Sequence, residues 1–186
     1  DKLSSIPGYD TEPQTGRFRN TVEKIGCAII GQTAQLVPAD QRLYSIRDVT
    51  ATVESIALIT SSILSKKLAA DLDALVMDVK TGNGAVTADL VLARQLGKSI
   101  VSVAGWAGLN TVAVITDMSQ PLAPAVGNAL EVEETVAYLT GVRRDPRLHE
   151  VVITLGQELL LASGLAKNVD DGRRLLNDAL VSGEAA

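Results

Sequence analysis

The chain has 186 residues, of which 46% are hydrophobic and 21% are charged, and its formal net charge is −5. This composition is typical of a compact folded domain and excludes a disordered chain. Lysine and arginine form no run longer than a pair such as Arg143 and Arg144, so we do not expect a nucleic-acid partner. Cys27 is the only cysteine and there is one histidine, which excludes an internal disulfide and a Cys/His zinc cluster. We find no signal peptide and no membrane-length apolar run, and therefore expect a cytoplasmic protein without a membrane partner.

The hydrophobic pattern predicts an α/β fold: a parallel sheet with flanking helices and a separate helical part. It predicts helices at 17–26, 53–70, 87–108, 129–140, 146–163 and 169–182. It predicts strands at 27–31, 74–80 and 111–118, of which the first is short and buried and begins at Cys27, and a long connection at 32–49. Because a long helix separates the strands at 74–80 and 111–118, these strands form a βαβ unit and should run parallel.

The predicted strand at 74–80 ends in TGNG, residues 81–84, which we interpret as a tight turn. The carboxyl edge of a parallel sheet, where such a turn lies, is also where α/β proteins bind ligands. The turn therefore marks a candidate ligand-binding edge but identifies no catalytic residue.

The helix predicted over 53–70, with Thr52 as its N-cap, carries two polar stripes at about 100° per residue. One stripe holds Ser61 and Ser65, and the other, on the opposite side, holds Ser62 and Lys66. The second stripe either meets water or neighbouring helices, as charged helix faces usually do, or faces a cleft that holds an anionic ligand.

Arg47 can join this second stripe only if the chain bends within 49–53. In a continuous helix, Arg47 and Lys66 would lie about 28 Å apart along the axis. The pattern alone therefore suggests a site without establishing one.

Four stretches of the chain carry a specific resemblance. They are DKLSSIPGYD, GQTAQLVPAD, YSIRDVTATVESIALITSSILSKKLAADLDALVMDVKTGNGA and TDMSQPLAPAVGNALEVEE. In this order they resemble the thymidine phosphorylase and pyrimidine nucleoside phosphorylase family, up to about residue 145. The resemblance implies a homodimeric pentosyltransferase. Its reaction is the reversible phosphorolysis of a pyrimidine nucleoside by inorganic phosphate to the free base and a (deoxy)ribose 1-phosphate, without an organic cofactor.

The resemblance also assigns site residues. Arg47, Ser62 and Lys66 match the residues that hold the pyrimidine ring, and Tyr44 matches a tyrosine of the same pocket. Arg47 and Lys66 then have a catalytic role, because cations beside the base oxygens stabilise the charge that develops as the glycosidic bond breaks.

A monovalent cation site, for a potassium ion, is a further implication of the resemblance. Leu122, Ala125 and Glu134 align with the positions that hold the ion through two backbone carbonyls and a carboxylate. Glu134 has an equal alternative interpretation as a solvated helix residue.

The resemblance implies a division into α/β segments at 1–38 and 71–145, a segment of the small helical domain with the base-binding residues at 39–70, and C-terminal helices at 146–186. In this family a glycine-rich segment that precedes the matched region holds phosphate. We therefore expect the chain to be a central fragment with little or no activity by itself. Two alternatives stay open: a phosphoribosyltransferase of the anthranilate type, and a non-catalytic truncated paralogue.

Overall fold

The computed structural model describes residues 2–31, 37–50 and 55–186. Within these ranges it has the predicted α/β architecture, with two strands and seven α-helices after a short 3-10 turn at Leu3–Ser5. The elements are α1 (Thr15–Ile25), α2 (Pro38–Val49), α3 (Ile56–Ala69), β1 (Ala74–Thr81), α4 (Leu90–Trp106), β2 (Asn110–Asp117), α5 (Asn128–Leu139), α6 (Pro146–Ala162) and α7 (Val169–Ser182). None of the helices described has both the length and the apolar character needed to cross a membrane.

The βαβ unit is confirmed. Strands β1 and β2 pair in parallel, with a register that runs from Ala74 opposite Asn110 to Thr81 opposite Asp117. Helix α4 connects them and begins where the Asp89 carboxylate accepts hydrogen bonds from the first backbone N–H groups of the helix, as an N-cap does. The three C-terminal helices also form where the pattern predicted them.

Two clusters of buried apolar side chains hold the fold together. The larger one joins α3, β1 and α4 and consists of Leu64, Leu75, Val79, Ala93, Leu96, Ile100, Ala104 and Leu109. The smaller one joins α5, α6 and α7 through Tyr138, Ile153 and Leu180. Because Leu64 of α3 is only 2% exposed, its burial in the larger cluster fixes α3 against α4.

The turn after β1 packs closely against the loop that follows β2. The Met118 N–H donates to the Thr81 carbonyl, which continues the parallel pairing, and the Gly84 N–H donates to the Met118 carbonyl at 3.1 Å. Gly82 has φ +100°, and a Cβ on Gly84 would lie 2.5 Å from the Met118 carbonyl oxygen. TGNG is thus the tight turn that the sequence predicted, and both glycines are required by its geometry.

The strand predicted at 27–31 is wrong. These residues form no strand, Cys27 is exposed instead of buried, and Ile29 is 63% exposed. Their backbone contacts the N-terminal turn instead: the Tyr9 hydroxyl donates to the Ile29 carbonyl and the Gly31 N–H donates to the Thr11 carbonyl. A short apolar run needs a neighbouring strand to satisfy its backbone, and the residues described here supply none.

The long connection predicted at 32–49 is wrong over residues 38–49, which form helix α2, and residues 32–36 lie outside the described residues. Pro38 occupies the first turn of α2, where its missing N–H costs nothing. Helix α3 begins at Ile56 with Ser55 as its N-cap, two residues after the 51–54 segment that lies outside the described residues together with the predicted cap Thr52. The predicted continuous helix from residue 53 is therefore shorter, and α2 and α3 are separate helices.

The geometry of the turn gives a stability prediction. Gly84→Ala should lower the free energy of unfolding by about 1–3 kcal/mol, because the new Cβ meets a backbone carbonyl that cannot rotate away. Gly105→Ala in α4 is the matched control, since a Cβ there meets nothing within 4 Å and alanine favours a helix. Urea unfolding of both variants tests this, and equal stabilities for the two would contradict the described packing of the turn.

Candidate functional site

A cavity of about 440 Å³ lies between α2, α3 and the carboxyl end of β1. We call it the helix–sheet cavity. Tyr44 and Arg47 of α2, Ser62 of α3 and Lys80 of β1 line it. Three of the four residues that the resemblance assigned to base binding therefore meet at one cavity, although they come from two separate helices.

Arg47 is held firmly at the edge of this cavity. Its side chain is mostly buried, since the residue is only 7% exposed. The Nη1 atom donates a hydrogen bond to the Leu58 carbonyl at 3.1 Å, and the guanidinium lies 5.9 Å from the centre of the Tyr44 ring. That distance allows a cation–π contact, which orients the guanidinium plane relative to the ring.

Lys66 lies beside the helix–sheet cavity but is not among the residues that line it. Its Nζ forms an ion pair with the Asp40 carboxylate and donates to the Ser62 hydroxyl at 3.0 Å. Asp40 is 7% exposed, so this ion pair is largely shielded from water. Lys66 therefore reaches the cavity wall through Ser62.

The charge on Asp40 is stabilised by its neighbours. Burial by itself raises the pKa of Asp40, but hydrogen bonds from Lys66 and Ser62, together with the positive charges of Lys66 and Arg47, lower it below its ordinary value. The Arg47 and Lys66 cations thus lie together with the Asp40 carboxylate at the α2–α3 contact, beside the helix–sheet cavity. A site of this kind favours a ligand that carries or develops negative charge.

Helix α2 docks through charge instead of apolar surface. Among its described side chains, only Asp40 and Arg47 are buried, and these residues are seven positions apart, on the same face. Its large apolar residues are exposed: Leu43, Ile46 and Val49 are each more than half exposed. The contacts of Asp40 with α3 and of Arg47 with the Leu58 carbonyl are therefore the polar links that hold α2 in place.

Sequence reasoning missed three polar residues at this site. Asp40 lay in a segment interpreted as a connection, and its partner Lys66 is 26 positions away. Asp78 and Lys80 belong to a strand that reads as an apolar run, although two charges two residues apart on one strand face are a visible signal. Recognition of α2 as a helix would have revealed Asp40 and Arg47 on one face.

The three residues assigned to a cation lie around a second cavity, of about 620 Å³, which we call the loop cavity. Leu122, Ala125 and Glu134 all line it. Glu134 is 2% exposed and forms an ion pair with Arg143, so its interpretation as a solvated helix residue is wrong. A cation at this site would have to share the carboxylate with the Arg143 guanidinium.

The cation site stays a prediction. The loop cavity brings its three residues together, but a site built from backbone carbonyls has few side-chain ligands by which to recognise it. In the part of the chain that the structure describes, no group of three or more His, Cys, Asp and Glu side chains is arranged to hold a metal ion.

Comparison with known proteins places these observations in a family. The family model described as "Glycosyl transferase family, a/b domain" matches residues 1–186. The chain is 59% identical over 186 residues to a thymidine phosphorylase of Burkholderia cenocepacia and 56% identical over 185 residues to a thymidine phosphorylase of Sinorhizobium fredii. Each match covers 100% of this chain and 42% of the relative, so the chain spans less than half the length of these curated relatives. The resemblance predicted from the four motifs is confirmed.

The lowered pKa of Asp40 predicts how acid affects stability. A carboxylate with a lowered folded-state pKa contributes stability above its unfolded pKa, and this contribution is lost as the pH falls through the folded value. Asp40→Asn should therefore lose less free energy of unfolding than the parent between about pH 5 and pH 2. Urea unfolding across this range measures the difference, with Asp73→Asn at an exposed aspartate as control. Identical pH dependence in the parent and Asp40→Asn would contradict the described contact with Lys66.

Proposed function

Since this chain belongs to the glycosyl transferase family through its α/β domain, we propose that the protein that carries it catalyses the reversible phosphorolysis of thymidine or related pyrimidine nucleosides. The products are the free base and a pentose 1-phosphate. The observation that carries the proposal is the convergence of Tyr44, Arg47 and Ser62 on the helix–sheet cavity, with Lys66 bonded to Ser62. The names of the relatives support the same reaction, since both are thymidine phosphorylases.

In the proposed reaction the pyrimidine ring lies in the helix–sheet cavity. Tyr44 offers an aromatic surface, and the Ser62 hydroxyl can donate to or accept from the imide edge of the ring. The Arg47 guanidinium stays charged at any working pH and offers donors in a planar fork. Its burial strengthens its interaction with charge on the base, because few water molecules screen it.

Bond cleavage moves an electron pair from the glycosidic bond onto the base. The Arg47 guanidinium and the Lys66 ammonium stabilise that charge more in the transition state than in the neutral substrate, which is the requirement for catalysis. Asp40 acts as a positioning residue in this scheme, because its ion pair holds Lys66 beside Ser62. The phosphate oxygen then forms the new bond to the anomeric carbon, and the base leaves with the electron pair.

We propose that inorganic phosphate is bound by a part of the protein that lies outside these 186 residues. The relatives are more than twice as long as the chain, so they contain residues enough for a separate phosphate-binding segment. The 186-residue chain by itself should then show little or no phosphorolysis. We further propose that the complete protein is a cytoplasmic homodimer.

The test is thymine release from thymidine by the full-length protein, followed by ultraviolet absorbance with and without phosphate. Release that requires phosphate is the expected result. Release without phosphate would indicate a hydrolase, and no release in either condition would refute the proposed reaction. Repetition with uridine shows whether the enzyme accepts ribonucleosides.

Substitution at the site gives a second prediction. Arg47→Ala and Lys66→Ala should each lower kcat/KM for thymidine at least about a hundredfold, the usual loss when one donor to a developing anion is removed. Arg42→Ala is the matched control, because Arg42 lies on the same helix with an exposed side chain and should keep normal turnover. Thermal unfolding of each variant separates a loss of catalysis from a loss of folded protein. Near-normal turnover in both Arg47→Ala and Lys66→Ala would refute the assignment.

A further inference from the structure

A cluster of three polar side chains at the carboxyl end of the sheet has no part in the reaction as described so far. Asp78 and Lys80 lie two residues apart on β1, and Thr116 lies opposite Lys80 on β2. The Lys80 Nζ donates to the Thr116 hydroxyl at 2.8 Å and lies 2.6 Å from the Asp78 carboxylate. Thr116 in turn donates to Asp78, so that each member contacts the other two. We call these residues the strand-end cluster.

Burial of two charged side chains in a parallel strand costs free energy of hydration. Strands of parallel sheets are usually near-continuous apolar runs, and the rest of β1 follows that pattern. The Asp78 and Lys80 side chains are only 25% and 29% exposed, so both charges have lost much of their hydration. A partly buried ion pair is weak evidence for stability, because apolar residues of similar size often stabilise a protein as well or better. An ammonium also has three donors, and the two contacts above use two of them.

The position of Lys80 relative to the cavities indicates what the cluster can bind. Lys80 lines both the helix–sheet cavity and the loop cavity, and it shares this property with Gly84 and Met118. Lys80 therefore forms part of the wall between the two. Gly84 presents no side chain there, which leaves the backbone of the turn close to any ligand that extends from one cavity toward the other.

We propose that the strand-end cluster is a subsite for the pentose of the nucleoside. This proposal rests on the proposed function, because it assumes that the pyrimidine ring occupies the helix–sheet cavity. The pentose is joined to the ring by one bond and therefore lies next to it, and Asp78 and Lys80 line the same cavity as the residues assigned to the ring. The Lys80 ammonium donates a hydrogen bond to a hydroxyl oxygen of the pentose, and the Asp78 carboxylate accepts a hydrogen bond from that hydroxyl. Such paired donors and acceptors suit a neutral polyol better than an anion.

The experiment compares substrates that differ only in one sugar hydroxyl. It uses the full-length protein, its Lys80→Gln variant and the matched control Lys98→Gln, which removes an exposed lysine of α4. For each protein, kcat/KM is measured with thymidine, 3′-deoxythymidine and 5′-deoxythymidine, and the Kd for free thymine is measured by equilibrium binding.

In the parent and in Lys98→Gln, one of the two deoxy analogues should be roughly 10- to 100-fold worse than thymidine, the usual effect of a lost hydrogen bond to a charged group. In Lys80→Gln this discrimination should fall to within about twofold, while the Kd for thymine stays unchanged. A merely structural role for Lys80 would not move the discrimination between analogues. Full discrimination in Lys80→Gln, or an equal loss of thymine and thymidine binding, would overturn the proposal.

Thr116→Val is a second variant, which removes the hydroxyl that holds the Lys80 ammonium and the Asp78 carboxylate in position for the pentose. If Lys80→Gln fails to fold, Thr116→Val should still reduce the discrimination between analogues with unchanged thymine binding, and unreduced discrimination would overturn the proposal. Failure of the proposed function is recognised separately, because the parent protein would then release no thymine in the presence of phosphate.

Discussion

The burial of Leu64 in the cluster shared by α3, β1 and α4 is the contact on which the arrangement of the site depends. It anchors α3 so that Ser62 faces the carboxyl end of β1 and Lys66 faces α2. Close packing makes such an anchor rigid, because a well-filled core resists even small displacements. The polar groups of the site can therefore be few, since an apolar contact on the far side of the same helix fixes their positions.

The charged groups at the α2–α3 contact, Asp40, Arg47 and Lys66, lie where little water reaches them. Asp40 offsets the repulsion between Arg47 and Lys66, and Asp40 would be costly to bury if Lys66 were absent. Opposite charges therefore lower the free-energy cost of burying one another. The strand-end cluster also pairs two partly buried charges, Asp78 and Lys80, and these two residues line the same cavity as Arg47.

The parts of the fold that depend on local periodicity could be predicted from the sequence. The βαβ unit and the helices at the C-terminal end follow from runs of apolar residues with clear spacing. Helix α2 could not be found this way, because its buried face consists of Asp40 and Arg47 and its apolar residues are exposed. The strand predicted at 27–31 failed for a related reason, since a strand is defined by a partner that a local pattern does not contain.

For the site, the resemblance identified Tyr44, Arg47, Ser62 and Lys66, and their spacing could show only that a bend was needed to bring them together. Asp40 and the strand-end cluster depend on pairing between distant positions, which one sequence without its fold does not display. The roles assigned to these residues in binding stay predictions until the substitutions are made.

The docking of α2 through its two buried charges links ligand binding to the position of a helix. In the proposed reaction, a base that binds Arg47 or Lys66 contacts the same groups that attach α2 to α3. Occupancy of the cavity and attachment of the helix are then thermodynamically coupled, and each must change the equilibrium constant of the other by the same factor. A helix held only by an apolar stripe would share no groups with the ligand. Helix α2 is attached through groups that also bind the ligand in the proposed reaction, so its position responds to binding.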